Sequence, residues 1–235
     1  MAIKGILFDK DGTLIEFNGF FGGTYLDMLQ KHFGHSYDEA LAMLVRTGYI
    51  PETGGCRGGS PMASETLGQI VRIWWPDMPE DERQGRRKFI DDNFDREVNQ
   101  HATPVLPLSP LFDELRCSGF ILGVATNDIE ASARSHMTQI GVVHHFEMLI
   151  GADSVDEPKP AGHMIKLFAD RTGLQPHQIV MVGDNAHDIN EARAGGAGLA
   201  IGVLSGNSGH EDLSSIADHV IADVAALPEL LKRLG

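Results

Sequence analysis

Cysteine, positive charge and long apolar runs are all scarce in this chain, and each shortage removes a class of protein. Its two cysteines, Cys56 and Cys117, lie far apart and form no CxxC pattern. That argues against a disulfide framework or a cysteine-held zinc, and fits reduced thiols in a cytoplasm. No run approaches the roughly 18 apolar residues that a membrane span requires. The N-terminus opens directly on a strand-like segment, so no secretory signal is expected. Nineteen Lys plus Arg against 33 Asp plus Glu leave a net charge of −14, which disfavours a grip on the nucleic-acid backbone. The same charge repels small anions, so any handling of phosphate needs a local cation. No internal repeat or low-complexity tract stands out. What remains is an ordinary soluble composition, 42% hydrophobic and 22% charged, in 235 residues, long enough for one large domain or for a core with an insertion.

The chain is organised around residues 3–14, Ile-Lys-Gly-Ile-Leu-Phe-Asp-Lys-Asp-Gly-Thr-Leu. Ile3, Ile6, Leu7 and Phe8 read as a buried strand of a parallel sheet. Ligands of such sheets sit beyond the carboxyl ends of the strands, where Asp9 and Asp11 fall. Gly12 supplies a tight turn there, and the loop N–H groups could hold an anion. An ordinary Asp-Gly turn would look the same, so the remaining chain must supply partners for the two acids.

Residues 16–100 carry helical patterns and almost no strand-like runs. Helices are expected at roughly 22–33, 36–47, 61–75 and 80–98, with Ser36 and Glu39 spaced as a capping box and Pro79 ahead of an acidic first turn. Trp74 and Trp75 are expected to pack this unit together. Its glycine-rich loop Thr53-Gly-Gly-Cys-Arg-Gly-Gly-Ser-Pro61 is either a flexible connection or a means of carrying Arg57 to a substrate. The proline-punctuated stretch from Pro104 to Pro110 returns the chain to a second region. There, strands near 120–125, 146–150, 179–182, 199–203 and 219–222 alternate with helices near 110–118, 128–139, 161–172, 187–195 and 223–234. That alternation predicts an α/β, doubly wound, mostly parallel sheet. A core of 1–15 with 101–235 and an inserted helical unit of 16–100 follow.

Polar groups end the strands that matter. Thr126-Asn127-Asp128 would offer a hydroxyl, an amide and helix N-terminal N–H groups to an anion, unless Thr126 is simply a cap. Gly183-Asp184-Asn185-Ala186-His187-Asp188 places two carboxylates four residues apart. Lys159 stands between Pro158 and Pro160, fixed more firmly than a free surface lysine. Lys10, by strand alternation, should point away from Asp9 and Asp11 and serve structure. His187 is expected to be a solvated histidine at a helix start.

These four stretches, in this order, resemble the motifs of the haloacid dehalogenase-like hydrolases, specifically their phosphatase branch. The stretch Gly202-Val203-Leu204-Ser205-Gly206 with the segments Glu211-Asp212-Leu213 and Ala217-Asp218-His219-Val220-Ile221 is similar to phosphoglycolate phosphatases and their near relatives. The resemblance implies a Rossmann-like core with a helical cap domain. It implies hydrolysis of a small phosphorylated metabolite, 2-phosphoglycolate being favoured, with Asp9 as nucleophile through an aspartyl-phosphate. Asp11 would protonate the leaving alkoxide and then activate water, which requires it to hold a proton when substrate binds. Mg²⁺ would be held by Asp9, Asp184 and the backbone carbonyl of Asp11. Thr126, Asn127 and Lys159 would bind phosphate, Lys159 would also offset charge on the nucleophile, and Asp188 would support Lys159 or the metal.

Dehalogenating relatives lack the second aspartate, so Asp11 favours phosphate chemistry. A phosphomutase of the β-phosphoglucomutase type shares the motifs. A signalling receiver module combines similar residues, but its acidic cluster precedes the phosphorylated aspartate, whereas here the candidate nucleophile comes first. A non-catalytic relative would be expected to have lost one of Asp9, Asp11, Thr126, Lys159, Asp184 or Asp188.

Overall fold

In the chain's computed structural model, which describes residues 2–16, 20–97 and 102–234, six parallel strands form one sheet in the order β3-β2-β1-β4-β5-β6. Strand β1 (Gly5–Phe8) leads into the insertion, whose helices are α1 (Phe20–Phe33), α2 (Tyr37–Arg46), α3 (Pro61–Ser64), α4 (Leu67–Trp74) and α5 (Glu80–Glu97). The core resumes with α6 (Leu108–Cys117), β2 (Ile121–Ala125), α7 (Glu130–Gln139) and β3 (Met148–Ile150). Then follow α8 (His163–Thr172), β4 (Ile179–Gly183), α9 (Ala186–Gly195), β5 (Leu199–Val203), α10 (His210–Ser214), β6 (His219–Ile221) and α11 (Leu227–Leu234).

The period-2 alternation of strand side chains sorts the core residues onto two faces. Ile6, Phe8, Leu122, Val124, Val180 and Val182 lie on one, with Phe112 of α6 and Leu230 of α11. Leu7, Ala125, Ile179 and Met181 lie on the other, with Ile165 and Phe168 of α8 and Ile189 of α9. Each such buried side chain other than Ala125 contributes about 1.5–3 kcal/mol relative to exposure. Both faces are covered, as an all-parallel sheet demands. The strand order reverses direction at β1, between β2 and β4, so the carboxyl ends of these three strands border the crevice where doubly wound sheets bind ligands.

The chain divides into Met1–Glu16 with Ala102–Gly235, and Phe17–His101. The expected boundary at 100/101 and the expected helix end at 98 lie outside the described residues. Where the core chain departs and returns, the two strands of backbone are bonded side by side. Ile15 and Pro104 form an antiparallel bridge, the Glu16 N–H donates to the Thr103 carbonyl at 2.8 Å, and the Val105 N–H to the Leu14 carbonyl at 3.0 Å.

In the helical unit, the Ser36–Glu39 capping box forms, with the Ser36 N–H donating to Glu39 Oε2 at 2.8 Å. The single helix expected over 61–75 is instead two. Thr66 starts a new helix, its backbone N–H donating to Gln69 Oε1 at 2.9 Å and its Oγ1 accepting from the Gln69 N–H. Trp74 and Trp75 are buried in one apolar cluster with Met28, Leu44 and Ile90. The Arg86 guanidinium lies over the rings of Phe33 and Trp75, 5.0 and 4.5 Å from their centroids. No helix among the described residues is long and apolar enough to cross a membrane.

Candidate active site

Asp9 continues β1 by one ladder bond, its N–H donating to the Val182 carbonyl at 2.8 Å, which fixes its side chain at the carboxyl edge of the sheet. The fully buried Lys159 ammonium donates to Asp9 Oδ1 at 2.6 Å and to Asp188 Oδ1 at 2.7 Å. Asp188, in the first turn of α9, also accepts the Asn185 N–H at 3.1 Å. Asp184, just past β4, accepts the Asn207 N–H at 2.9 Å and lies 3.5 Å from the Thr13 hydroxyl. The sequence-predicted Asp9, Lys159 and Asp188 are therefore joined directly.

Backbone shape allows the acids to crowd. Gly12 has φ 81°, and a Cβ there would stand 2.6 Å from Asp184 Oδ2. A Cβ on Gly206 would clash with the same carboxylate, and the Ser205 hydroxyl donates to the Gly12 carbonyl at 2.7 Å. The loop after β5 thus closes against the β1 loop, and only glycine fits at those two points.

Burial raises Asp9 to about 6, even though Lys159 opposes the shift. Asp184 is pushed well above the carboxylate range by burial and by the charges of Asp9 and Asp188. Burial also raises Asp188 against the pull of Lys159. Burial alone would lower Lys159, but Asp188 and Asp9 outweigh it and hold its proton more tightly than usual. Three buried carboxylates around one ammonium repel each other unless protonated or joined by another cation. Their oxygens are hard donors, suited to Mg²⁺ more than to a soft metal.

His187 is not solvated as the sequence suggested. Its side chain is 12% exposed, its Nε2 lies 3.4 Å from Asp188 Oδ1, and burial with Lys159 nearby lowers it to about 3, leaving it neutral. The first turn of α9 faces the carboxylates, so a helix-start position here is an interior one. Ligand atoms of Asp9, His187 and Asp188 all lie within 4.8 Å of one another.

The loop after β2 differs from expectation. Helix α7 opens at Glu130, and two N–H groups at its start are already taken: Ile129 donates to Asp128 Oδ1 at 2.7 Å and Glu130 to Asp153 Oδ1 at 2.8 Å. Thr126 Oγ1 accepts the Asp128 N–H at 3.1 Å, shaping the turn, and Asn127 donates one amide hydrogen to the Lys159 carbonyl at 3.1 Å. Thr126 and Asn127 thus sit on a turn that is tied to the Lys159 loop.

Lys10 does not point away from Asp11. Its buried ammonium lies 3.0 Å from Asp11 Oδ2 and 3.0 Å from Asp128 Oδ2. The strand ends at Phe8, so alternation no longer governs residue 10. Sequence reading also missed Glu191. This fully buried carboxylate accepts the N–H groups of Gly162, Met164 and Ile165 at 2.6, 2.8 and 3.2 Å, tying the end of the Lys159 loop and the start of α8 to α9. Its spacing three residues after Asp188, on the same helix face, is the available signal. Arg57 belongs to the helical unit, where it is exposed at the end of a loop whose two ends are joined by its N–H donating to the Gly48 carbonyl at 2.9 Å.

The family model for haloacid dehalogenase-like hydrolase matches residues 3–196. A phosphoglycolate phosphatase of Xylella fastidiosa (strain 9a5c) is 30% identical over 209 residues, covering 89% of this chain and 83% of that one. The pyrophosphatase PpaX of Bacillus pumilus (strain SAFR-032) is 29% identical over 214 residues, 90% of this chain and 88% of that one. The crystal structure of a predicted phosphatase from Clostridium acetobutylicum superposes with a TM-score of 0.75 at 18% identity, over 100% of this chain and 99% of that one.

Proposed function

The chain belongs to the haloacid dehalogenase-like hydrolases, and on that premise we propose that it is a Mg²⁺-dependent phosphatase acting on a small phosphorylated metabolite through an aspartyl-phosphate on Asp9. The observation that carries this reading is the buried chain Asp9–Lys159–Asp188 beside Asp184, with Asp11 two residues from the nucleophile. Held by the carboxylates of Asp9 and Asp184 and the backbone carbonyl of Asp11, Mg²⁺ would neutralise phosphate charge and complete the charge balance of the site.

Asp9 needs no base once ionised, unlike a serine. Its free carboxylate oxygen attacks phosphorus while Lys159 holds Oδ1 and offsets negative charge on the phosphoryl oxygens. The ester P–O bond breaks, and its electron pair leaves on the alcohol oxygen, which takes the proton of Asp11. In the second half, Asp11 takes a proton from water as the water oxygen bonds phosphorus. The acyl-phosphate P–O bond then breaks and returns its pair to Asp9, releasing inorganic phosphate. Thr126 and Asn127 contact the phosphate from the β2 turn. Asp188 keeps Lys159 charged and in place.

The favoured substrate is 2-phosphoglycolate, with pyrophosphate as the competitor that the relatives' names raise. Arg57 is the helical-unit residue assigned to a small anionic substrate. The helical unit itself is assigned the role of a cap, and the reduced thiols favour a cytoplasmic setting.

The test is phosphate release from 2-phosphoglycolate, pyrophosphate, hexose phosphates and 4-nitrophenyl phosphate, with Mg²⁺ or EDTA. The expected result is Mg²⁺-dependent release that Asp9→Asn lowers more than about a thousandfold. Arg57→Ala should raise KM for the best substrate without a matching loss of kcat. Isomerisation of a hexose phosphate faster than phosphate release would replace the phosphatase reading with a mutase.

A further inference from the structure

Resting on that reading, we propose that Lys10 is a positioning residue that fixes the rotation of the Asp11 carboxylate and so assigns Oδ1 as the atom that passes the proton. An ammonium has three hydrogens and no acceptor. Here it is hydrogen-bonded to Asp128 Oδ2 at 3.0 Å and His136 Nδ1 at 3.1 Å, and it forms an ion pair with Asp11 Oδ2 at 3.0 Å. The Lys10 side chain is fully buried, so the charge has no water to turn to.

The far side of this anchor is itself rigid. Asp128 accepts the Ile129 N–H at 2.7 Å through Oδ1, and its own N–H donates to Thr126 Oγ1 at 3.1 Å. His136 is held in α7. Lys10 therefore ties Asp11 to the turn that carries Thr126 and Asn127.

The two oxygens of Asp11 are left in different states. Oδ2 is held by Lys10, whereas Oδ1 is buried with no hydrogen-bond partner among the described residues. A buried carboxylate oxygen without a donor is costly, and a leaving-group oxygen or a nucleophilic water would supply one. A free aspartate could exchange its two oxygens by rotating about its Cβ–Cγ bond. The ion pair at Oδ2 removes that freedom, and placement errors of about 1 Å cost on the order of a hundredfold in rate.

Proton donation matters more as the leaving group becomes more basic. The experiment measures kcat/KM, in Mg²⁺, for 4-nitrophenyl phosphate, phenyl phosphate and an alkyl phosphate such as 2-phosphoglycolate. The proteins are wild type, Lys10→Met, Lys10→Arg and Asp128→Asn. All three esters are read in the same preparation, so the ratio between them is independent of the folded fraction.

Lys10→Met is expected to lose at least about tenfold more on the alkyl ester than on the nitrophenyl ester, with Asp128→Asn intermediate and Lys10→Arg partly restored. If Lys10→Met fails to fold, the ratios in Lys10→Arg and Asp128→Asn decide. Equal losses on all esters would make Lys10 a purely structural residue and overturn the proposal. Wild type inactive on every ester, or activity that survives Asp9→Asn, would sink the phosphatase reading instead.

Discussion

The helical unit and the sheet core place their charges by opposite rules. Among the described residues, the helical unit buries apolar side chains with only Thr24, Thr47 and Ser60 as polar company. Its ions pair on the surface, as Lys88 does with Asp92 and Lys31 with Asp27. The core buries Asp9, Lys10, Lys159, Asp184, Asp188 and Glu191. Removing a charge from water costs several kcal/mol before its partners repay any of it. A unit that carries six such groups, most of them gathered at one edge of a sheet, gives up stability to hold a site. The unit without them is arranged for packing.

The surface acids of the helical unit and the site carboxylates of the core should therefore respond to pH in opposite directions. In the helical unit the Ser36 N–H and hydroxyl hold Glu39 below its ordinary range, and the Arg72 guanidinium does the same for Glu80. Groups so depressed stabilise the fold above their unfolded pKa and lose that support as the pH falls through the folded one. Asp9 behaves inversely. An unfolded chain releases its proton near 3.8, whereas the folded site holds it to about 6, so without metal the folded protein loses stability as pH rises through that window. Asp9→Asn cannot ionise. In EDTA at pH 7.5 it should be more stable than wild type, and the difference should shrink as the pH falls toward 4. Urea unfolding at both pH values reads this, and a wild type as stable as the variant at pH 7.5 would break the contrast.

Smaller effects sharpen it. Glu191→Gln leaves three backbone N–H groups sharing one acceptor oxygen, and a loss of about 2 kcal/mol is expected. Activity should also fall, because the Lys159 loop is tied there. Unchanged stability would mean that water takes over the N–H groups. Thr66→Ala removes a helix cap in the other unit and should cost about 1 kcal/mol with kcat unaltered. Lys88→Ala breaks an exposed i,i+4 pair and should move stability by less than about 0.5 kcal/mol, a loss that added salt erases from wild type.

The sheet and the ends of its strands were legible because both follow from short-range rules. A four-residue apolar run flanked by Asp and Gly can be read without knowing its neighbours. The departures arise where a local rule was carried past its element. Alternation does not reach Lys10, because the backbone leaves the strand after Phe8. The helical pattern of 61–75 hides a break at Thr66, which only the capping-box spacing of Thr66 and Gln69 marks. The place of His187 on α9 says nothing of its burial, which is set by β1 and the Lys159 loop. Glu191 was invisible for the same reason, since its three partners come from another segment.

The paired backbone at Ile15 and Pro104 has an evolutionary consequence. Because the outgoing and returning segments are bonded to each other within the core, the sheet does not require the intervening residues to span any distance. A gene could shorten, lengthen or exchange that stretch in a single event and leave every strand in register. The inserted unit could then be exchanged while the sheet and the carboxylates at its edge were inherited unaltered.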